Sequence, residues 1–178
     1  MRALEAELRR VSDEAATDAL TQVSNRRGLE QAFESEAARC LRSVGAAGAL
    51  AVGLIDIDNF KKLNDRLGHG AGDQALKSLA VGVRERLRPV DHIARFGGEE
   101  FVLLLPGTEL DAAQQALTRL QRSLSAALFL HEGEEVFVTF SAGVTLWREG
   151  EALEATLARA DEALYEAKRT GKNRTCVA

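Results

Sequence analysis

The apolar and polar residues of this chain alternate with two different periods, and the changes of period mark the predicted helices and strands. Apolar residues spaced three and four apart predict helices over residues 1–20, 26–41, 59–67, 74–87, 108–128 and 153–169. Short apolar or alternating runs predict strands at residues 50–55, 91–96, 101–105, 129–131, 136–147 and 174–177. This order predicts an α+β fold with helices packed on a mostly antiparallel sheet.

Each predicted helix after the first has one apolar face, which we expect to cover the sheet. The faces comprise Leu29, Phe33, Ala37 and Leu41; Phe60, Leu63 and Leu67; Leu76, Leu79, Val83 and Leu87; Leu117, Leu120, Leu124 and Leu128; and Leu153, Leu157, Ala160, Leu164 and Ala167. Thr108 with Asp111 resembles a capping box at the start of one helix. Gly143 lies inside a predicted strand, where glycine permits a bend or bulge.

The first helix has its own pattern, with Leu4, Leu8, Val11 and Ala15 at alternating spacings of four and three. This is typical of a coiled coil, but it covers roughly two heptads, and a dependable prediction needs about three or four. Residues 1–17 are therefore interpreted as the end of a helical stalk or as a solvated lead-in helix. Residues 18–178 are interpreted as one domain.

The composition excludes several classes of protein. A chain of 178 residues with 46% apolar content can bury the core of one domain. The net charge of −4 and the 5% aromatic content argue against nucleic-acid binding through a basic face. Cys40 and Cys176 lack metal-ligand spacing and do not suggest a disulfide framework, so we expect reduced core thiols.

Neither a signal peptide nor a membrane span is predicted. The first eight residues are too charged for a signal peptide, and the longest apolar run, residues 44–55, is too short to cross a bilayer. We expect a cytoplasmic domain without membrane contact in this segment, or the cytoplasmic part of a membrane-anchored protein.

The strongest candidate for chemistry is a predicted hairpin turn with the sequence RFGGEEF at residues 95–101. Gly97 and Gly98 suit a turn because both tolerate positive φ. Glu99 and Glu100 are not needed for turning, and they repel each other at the start of an apolar strand. A bound cation would explain both carboxylates; a solvated turn is the alternative.

A second pair of carboxylates, Asp56 and Asp58, follows the predicted strand at residues 50–55. They point the same way if the strand continues, which suits a hard cation. Capping of the next helix is the alternative for Asp58. The glycines at positions 68, 70 and 72 follow a helix with the wrong spacing for a dinucleotide fingerprint, and the chain has no G-x-x-x-x-G-K-[ST] motif.

Taken in order, several stretches resemble the GGDEF-type diguanylate cyclases, whose name-giving motif stands here as Gly97-Gly98-Glu99-Glu100-Phe101. The resemblance covers nearly the whole chain from Asp18. It rests also on DALT at 18–21, NRR at 25–27, DIDNFKKLND at 56–65, GHGAGD at 68–73, SAGV at 141–144 and ADEALYEAK at 160–168. Any one stretch is weak, whereas the ordered set is highly specific.

The resemblance implies a palm or nucleotidyl-cyclase type of sheet with a ferredoxin-like βααββαβ core. It also implies condensation of two GTP molecules into cyclic di-GMP with release of pyrophosphate. The cofactor would be Mg²⁺, with Mn²⁺ as an alternative ion, held by Asp56, Glu99 and the Ile57 carbonyl, with Glu100 in the same shell as a further catalytic carboxylate. Such oxygen ligands match the preference of Mg²⁺.

Asn64 and Asp73 occupy the family's guanine-recognising positions. A carboxylate can accept from N1–H and the 2-amino group of guanine, which adenine cannot satisfy. Without the resemblance, Asn64 would be interpreted as a solvated helix residue and Asp73 as a helix N-cap.

By the same resemblance, Lys168 and Lys172 bind the triphosphate, with Phe60 and Lys61 near the phosphates. Arginine is common in the family at the position of Lys172. A lysine keeps the charge but loses the bidentate fork, so phosphate binding is expected to be weaker.

Arg88 and Asp91 form an R-x-x-D pattern before the turn, which in many family members is an inhibitory site for the product. Arginine can stack on guanine and bind phosphate, and aspartate can accept from the base edge. The alternative is a solvated helix terminus followed by a loop aspartate.

The resemblance further implies a homodimer for catalysis and an upstream sensory domain. Two other functions stay open from the sequence: a receptor that binds GTP or cyclic di-GMP without turnover, and a dimerisation or scaffolding module. The set Asp56, Lys61, Asn64, Asp73 and Glu99 is intact, which favours catalysis.

Overall fold

The computed structural model of the chain describes residues 2–125 and 128–178. In order, the elements are α1 (Arg2–Ala16), α2 (Arg26–Leu41), a 3-10 turn (Gly45–Gly48), β1 (Leu50–Ile57), α3 (Phe60–Leu67), α4 (His69–Arg86), β2 (His92–Arg95), β3 (Glu100–Pro106), α5 (Leu110–Ser125), β4 (Leu128–His131), β5 (Glu134–Phe137), β6 (Phe140–Leu146), α6 (Leu153–Arg169) and β7 (Thr175–Val177). The predicted α+β fold and the order of its elements are confirmed.

The central sheet has five strands in the order β2-β3-β1-β6-β7. All its neighbours are antiparallel except β6 and β7, which are parallel. All eight residues of β1 are buried, because its side chains alternate between two helix layers. Ala51 and Ile55 face the core under α4 and α5, while Val52 and Leu54 face the core under α2 and α6.

The sequence also predicts that residues 129–131 and 136–147 pair antiparallel across a turn at residues 132–135, and this is confirmed only for residues 136–137 of the second run. β4 pairs with β5 in a separate two-stranded sheet, whereas β6 lies beside β1 in the central sheet. The first six residues of β6 are buried and three of the four β5 residues are exposed. A strand buried in this way needs neighbours on both edges and cover on both faces.

Gly143 allows α6 to pack directly on the central sheet. The register with β1 runs through it without interruption, so the predicted bend or bulge is wrong. A Cβ at this position would collide with the Ala160 carbonyl and the Leu164 amide of α6. Glycine is therefore required for the close approach of helix and strand.

Two of the predicted apolar helix faces are displaced. On α2 the buried residues include Leu29, Phe33 and Cys40, whereas Leu41 is 58% exposed. Leu128 belongs to β4 rather than to the preceding helix. All five predicted face residues of α6 are buried, as expected. Cys176, expected in the core, is only partly buried at the sheet edge.

Three predicted helix starts and ends also differ. α1 ends at Ala16 rather than near residue 20, and Met1 lies outside the described residues. α4 begins at His69, directly after Gly68, so Asp73 lies inside the helix and is not its N-cap. The capping box at Thr108 is wrong, because its hydroxyl donates to the Pro106 carbonyl and accepts from Arg88.

Among the described residues, no helix is both long and apolar enough to span a membrane.

The close approach at Gly143 leads to a stability prediction. We expect Gly143→Ala to lower the free energy of unfolding by about 1–3 kcal/mol or more, because a methyl group must displace helix backbone in a packed core. Gly70→Ala is the control. Gly70 lies inside α4, and a Cβ there would make only an ordinary van der Waals contact with His131 of β4. Urea unfolding followed by circular dichroism measures both; equal stability of the two variants would contradict the packing argument.

Candidate active site

The candidate site lies at one edge of the central sheet, where β1 ends and β3 begins. Antiparallel pairing brings Asp56 of β1 opposite Glu100 of β3, and the Ile57 amide donates to the Glu99 carbonyl at 3.4 Å. Carboxylates that are 43 residues apart in sequence (99 minus 56) are thus neighbours in the fold. The C-terminal end of α6 lies above them and contributes Lys168.

The turn between β2 and β3 is closed by its own backbone. The amides of Phe96 and Gly97 donate to the Glu100 carbonyl at 2.8 and 3.3 Å. Neither Gly97 nor Gly98 adopts the left-handed region, so the turn does not use the positive φ that both glycines tolerate. A Cβ at Gly98 would meet nothing within 4 Å. The fold itself does not require glycine there, and the space above it is open.

Two arginines fix the turn from outside. Arg26 donates from Nε to the Phe96 carbonyl at 2.7 Å and stacks over the Phe96 ring at 4.0 Å. Arg95 donates from Nη2 to the Gly98 carbonyl at 2.8 Å and contacts the Asp18 carboxylate at 3.4 Å. The segment that carries Glu99 is therefore held by both α2 and β2.

Asp56 is the most deeply placed carboxylate of the site. Its Oδ2 lies 3.0 Å from the Lys168 ammonium. Its Oδ1 is buried and receives no hydrogen bond from the described residues as long as Glu99 is ionised. A buried oxygen without a partner is costly, so this atom indicates a missing ligand.

The two glutamates titrate unusually because of this environment. Burial, together with hydrogen bonding to Asp56 and the charge of Asp56, raises the pKa of Glu99 to about 7. Burial, and then the charges of Asp56 and Asp161, also raise the pKa of Glu100, opposed by Lys168 and Arg26. Like charges held close together and out of water favour a bound cation.

These carboxylates fit a magnesium ion rather than a metal held by protein alone. Among the described residues, no group of three or more His, Cys, Asp or Glu has the arrangement of a metal cluster. Mg²⁺ is commonly bound by one or two carboxylates together with substrate phosphates. The unpaired Asp56 oxygen beside Glu99 meets that requirement.

Asp58 does not belong to this cluster. Its carboxylate accepts from the Ser141 hydroxyl at 2.6 Å, the Thr139 hydroxyl at 2.8 Å and the Asn173 amide at 3.0 Å. It is not a helix cap either, because Asn59 precedes α3 without a side-chain capping bond. Both sequence interpretations of Asp58 are wrong, and its observed contacts join β1 to β6 and to the chain after α6.

The two predicted base-recognising residues lie on adjacent helices. Asn64 of α3 packs over Gly72 of α4, where any Cβ would collide with its amide. The Asn64 Oδ1 is buried and lacks a partner among the described residues. Asp73 follows Gly72 directly and is exposed. The structure thus brings an unpaired amide oxygen and a free carboxylate to one corner.

The predicted phosphate-binding residues lie around the same edge. Lys172, in a left-handed conformation, donates to the Asn59 side chain at 2.7 Å. Lys61 is exposed on the first turn of α3, and Phe60 beside it packs against the core. Together with Lys168, these residues place positive charge between the end of β1 and the end of α6.

Arg88 and Asp91 lie elsewhere, beside a groove of about 580 Å³ between the end of α4 and the start of α5. Arg88 pairs with Asp91 at 2.7 Å and also donates to the Pro106 carbonyl at 2.8 Å. Their hydrogen bond raises the pKa of Arg88. Arg86 and Arg119 line the same groove.

Sequence reasoning missed three residues that the structure brings to these sites. Arg26 and Asp161 lie in stretches that carried the family resemblance, so that signal was present but was assigned no role. Arg119 lies in α5, which was interpreted as purely structural. Its position on the groove beside Arg88 depends on how α5 packs and is not encoded in any local spacing.

Comparison with known proteins decides the family. The sequence model described as "Diguanylate cyclase, GGDEF domain" matches residues 15–174. This chain belongs to the GGDEF diguanylate cyclase family. Diguanylate cyclase DgcP of Pseudomonas aeruginosa is 49% identical over 164 residues, which cover 92% of this chain and 24% of the relative.

Solved GGDEF structures agree with the fold. The coiled coil and GGDEF domain of DgcB from Caulobacter crescentus, in complex with c-di-GMP, has a TM-score of 0.86 at 28% identity, covering 99% of this chain and 93% of that one. Diguanylate cyclase SiaD from Pseudomonas aeruginosa, in complex with its activator SiaC, has a TM-score of 0.85 at 35% identity, covering 99% and 67%. The chain spans about a quarter of DgcP.

The raised pKa of Glu99 gives this GGDEF domain a testable pH dependence in the absence of metal. Folded Glu99 holds its proton up to a pKa of about 7, whereas its ordinary pKa is 4.5. Between these values the unfolded state binds fewer protons, so this group lowers stability as pH rises, with no further loss above the folded pKa.

We therefore measure the Tm of the wild type and of Glu99→Gln, both in EDTA, as a function of pH. The Tm of the wild type minus that of Glu99→Gln should fall as the pH is raised from 4.5 to 7. Glu149→Gln, an exposed carboxylate on the loop after β6, should follow the wild type. Parallel curves for the wild type and Glu99→Gln would contradict the burial and charge argument.

Proposed function

We propose that this chain is a diguanylate cyclase domain that converts two GTP molecules into cyclic di-GMP and two pyrophosphates. The observation that carries the proposal is the pair of buried Asp56 and half-buried Glu99 beside Lys168, with one Asp56 oxygen unpaired. Membership of the GGDEF family and the names of its relatives support the same activity.

Asp56, Glu99 and the Ile57 carbonyl would hold Mg²⁺, or Mn²⁺ in its place, and Glu100 lies in the same shell. A bound divalent ion neutralises triphosphate charge and polarises the reacting phosphoryl group. Burial of Asp56 supports its assignment, because an ion held in a site of low dielectric interacts strongly with its ligands.

Asn64 and Asp73 would recognise guanine. The exposed Asp73 carboxylate can accept from N1–H and the 2-amino group, and the Asn64 oxygen supplies a further acceptor. The triphosphate would lie along Lys61, Lys168 and Lys172. Phe60 packs beneath this path, and Gly98 leaves space above the turn.

In each of two equivalent steps, a 3′-hydroxyl oxygen of one GTP forms a bond to the α-phosphorus of the other, and the bond to pyrophosphate breaks. Glu99, ionised beside a bound cation, is the group that we assign to accept the hydroxyl proton. Lys168 offsets negative charge that develops on the phosphoryl oxygens.

Symmetric attack requires two such domains face to face, because one copy of the site holds one GTP. The exposed Leu4, Leu8 and Val11 of α1 offer the apolar stripe for joining two stalks. We assign residues 1–17 to this stalk and residues 18–178 to the catalytic domain. An upstream sensory domain would set how closely two copies meet.

Product inhibition is assigned to Arg88 and Asp91. In the free chain the Arg88 guanidinium binds the Asp91 carboxylate and donates to the Pro106 carbonyl, so cyclic di-GMP would have to replace these contacts. Arg119 and Arg86 on the same groove add charge for the phosphates of the product.

The proposal is tested by incubating the protein with GTP and Mg²⁺ and measuring cyclic di-GMP by chromatography. Glu99→Gln should reduce the rate of cyclic di-GMP formation at least about a hundredfold, which corresponds to a rise of roughly 2.7 kcal/mol in the activation free energy. Glu149→Gln should keep the wild-type rate. GTP binding without product in the wild type would favour a receptor; no nucleotide effect on Tm would favour a scaffolding module.

For the inhibitory groove, Arg88→Ala should preserve the initial rate and raise the cyclic di-GMP concentration needed for half inhibition by about tenfold or more, because charge-assisted bonds are lost. Arg148→Ala, an exposed arginine on the loop after β6, serves as the control. Equal inhibition of all three proteins would remove the assigned site.

Assembly makes a separate prediction. An isolated helix of about 12–15 residues is marginally stable, so α1 alone should not hold a tight dimer. Specific activity should rise with protein concentration, and a stable coiled coil fused in register with Leu4 and Leu8 should raise it further. Constant specific activity over a hundredfold dilution, with light scattering showing monomer, would reject the two-domain mechanism.

A further inference from the structure

The β4–β5 hairpin has no part in the mechanism above, yet it contacts both helices that carry the base-recognising residues. Its inner face is anchored, since Val136 is buried and Phe129 packs against the core under α4 and α5. Two polar residues of this same face, His131 and Glu134, pair with each other in register. Their side chains extend to α4 and α3 respectively.

The contact with α4 is made through Gln74, the residue directly after Asp73. Its Oε1 lies 2.6 Å from His131 Nδ1, and its Nε2 donates to the Leu130 carbonyl at 3.4 Å. An amide oxygen only accepts, so in this arrangement His131 Nδ1 carries the proton. Gln74 thus uses both ends of its amide to join α4 to β4.

The contact with α3 is an ion pair between Arg66 and Glu134 at 2.7 Å. Arg66 lies two residues after Asn64 in a helix of eight residues, none of which is fully buried. Phe60 and Leu63 pack against the core and Asn64 packs over Gly72, so contacts near the C-terminal end of α3 can adjust its orientation rather than set it alone. The Arg66 pair is exposed and of modest strength, and it joins the C-terminal end of α3 to the hairpin.

Asn64 and Asp73 lie on different helices, so their separation depends on the angle between α3 and α4. We propose that the β4–β5 hairpin is a positioning element for base recognition, which fixes this separation through Gln74, His131, Arg66 and Glu134. The inference rests on the proposed binding of a guanine nucleotide at Asn64 and Asp73. It adds residues that determine specificity without touching the base.

Binding of the triphosphate serves as the comparison for recognition of the base, because the predicted phosphate-binding residues lie away from the hairpin. Lys168 and Lys172 lie at and beyond the end of α6, and the start of α3 is tied to that region by the bond between Lys172 and Asn59. The hairpin contacts lie at the other end of α3. Loosening the hairpin should therefore weaken recognition of the base while leaving recognition of the triphosphate nearly unchanged.

The first test measures binding of a non-hydrolysable GTP analogue, the matching ATP analogue and tripolyphosphate by calorimetry with Mg²⁺. In Gln74→Ala we expect the Kd of the GTP analogue to rise about fivefold to tenfold, and the preference for it over the ATP analogue to fall by a similar factor. The Kd of tripolyphosphate should stay within about twofold of the wild-type value. Gln114→Ala is the matched control, since Gln114 also donates from a helix to a strand carbonyl at 3.4 Å.

The second test exchanges the ion pair. Arg66→Glu and Glu134→Arg should each weaken binding of the GTP analogue. The double variant, which restores the ion pair in reverse, should recover at least half of the lost binding free energy. His131→Phe keeps a ring on the hairpin but removes the bond to Gln74, and it should match Gln74→Ala. These variants keep the inference testable if Gln74→Ala fails to fold.

The inference would be overturned if the folded Gln74→Ala or His131→Phe variant kept the nucleotide preference of the wild type. It would also be overturned if binding of the GTP analogue and of tripolyphosphate weakened equally, or if the exchanged ion pair recovered no binding. The proposed function fails differently. A wild type that binds the GTP analogue selectively but forms no cyclic di-GMP would disprove the activity and leave the hairpin inference standing.

Discussion

The candidate site depends on the direct contact between α6 and the central sheet at Gly143. Without a Cβ at this position, the helix backbone at Ala160 and Leu164 lies against β6. About one turn beyond Leu164, Lys168 reaches Asp56 at the end of β1. A bulkier residue would lift the helix and separate the ammonium group from a carboxylate that is largely desolvated. A packing constraint in the core therefore sets the electrostatics at the edge.

Two aspartates at the end of β1 show how hydrogen-bond accounting separates structure from chemistry. Asp56 and Asp58 are both buried and two residues apart. Asp58 is fully occupied by Ser141, Thr139 and the Asn173 amide. Asp56 has one oxygen on Lys168 and one without a protein partner. Because buried acceptors are nearly always satisfied, the unpaired one indicates where a ligand belongs.

The sequence predicts those features that local periodicity encodes. The buried face of α6 was predicted completely because five apolar residues at helical spacing share one side. Features that depend on contacts between distant segments were not predictable in this way. The placement of β6 beside β1, the role of Gly143 and the position of Arg119 on the groove beside Arg88 all depend on which surfaces meet. The site residues came from ordered motifs of a family, since spacing alone left Glu99 equally compatible with a solvated turn.

The segment that follows α1 is part of the same network as the site. Burial raises the pKa of Asp18, but hydrogen bonds from Thr21 and the charge of Arg95 outweigh it, so that the pKa lies below its usual value and the carboxylate stays ionised. Arg95 in turn donates to the Gly98 carbonyl, one residue before Glu99. A single guanidinium therefore connects Asp18, shortly after α1, to the turn that carries Glu99. Because one planar group makes both contacts, the position of that turn cannot be independent of how the chain enters the domain.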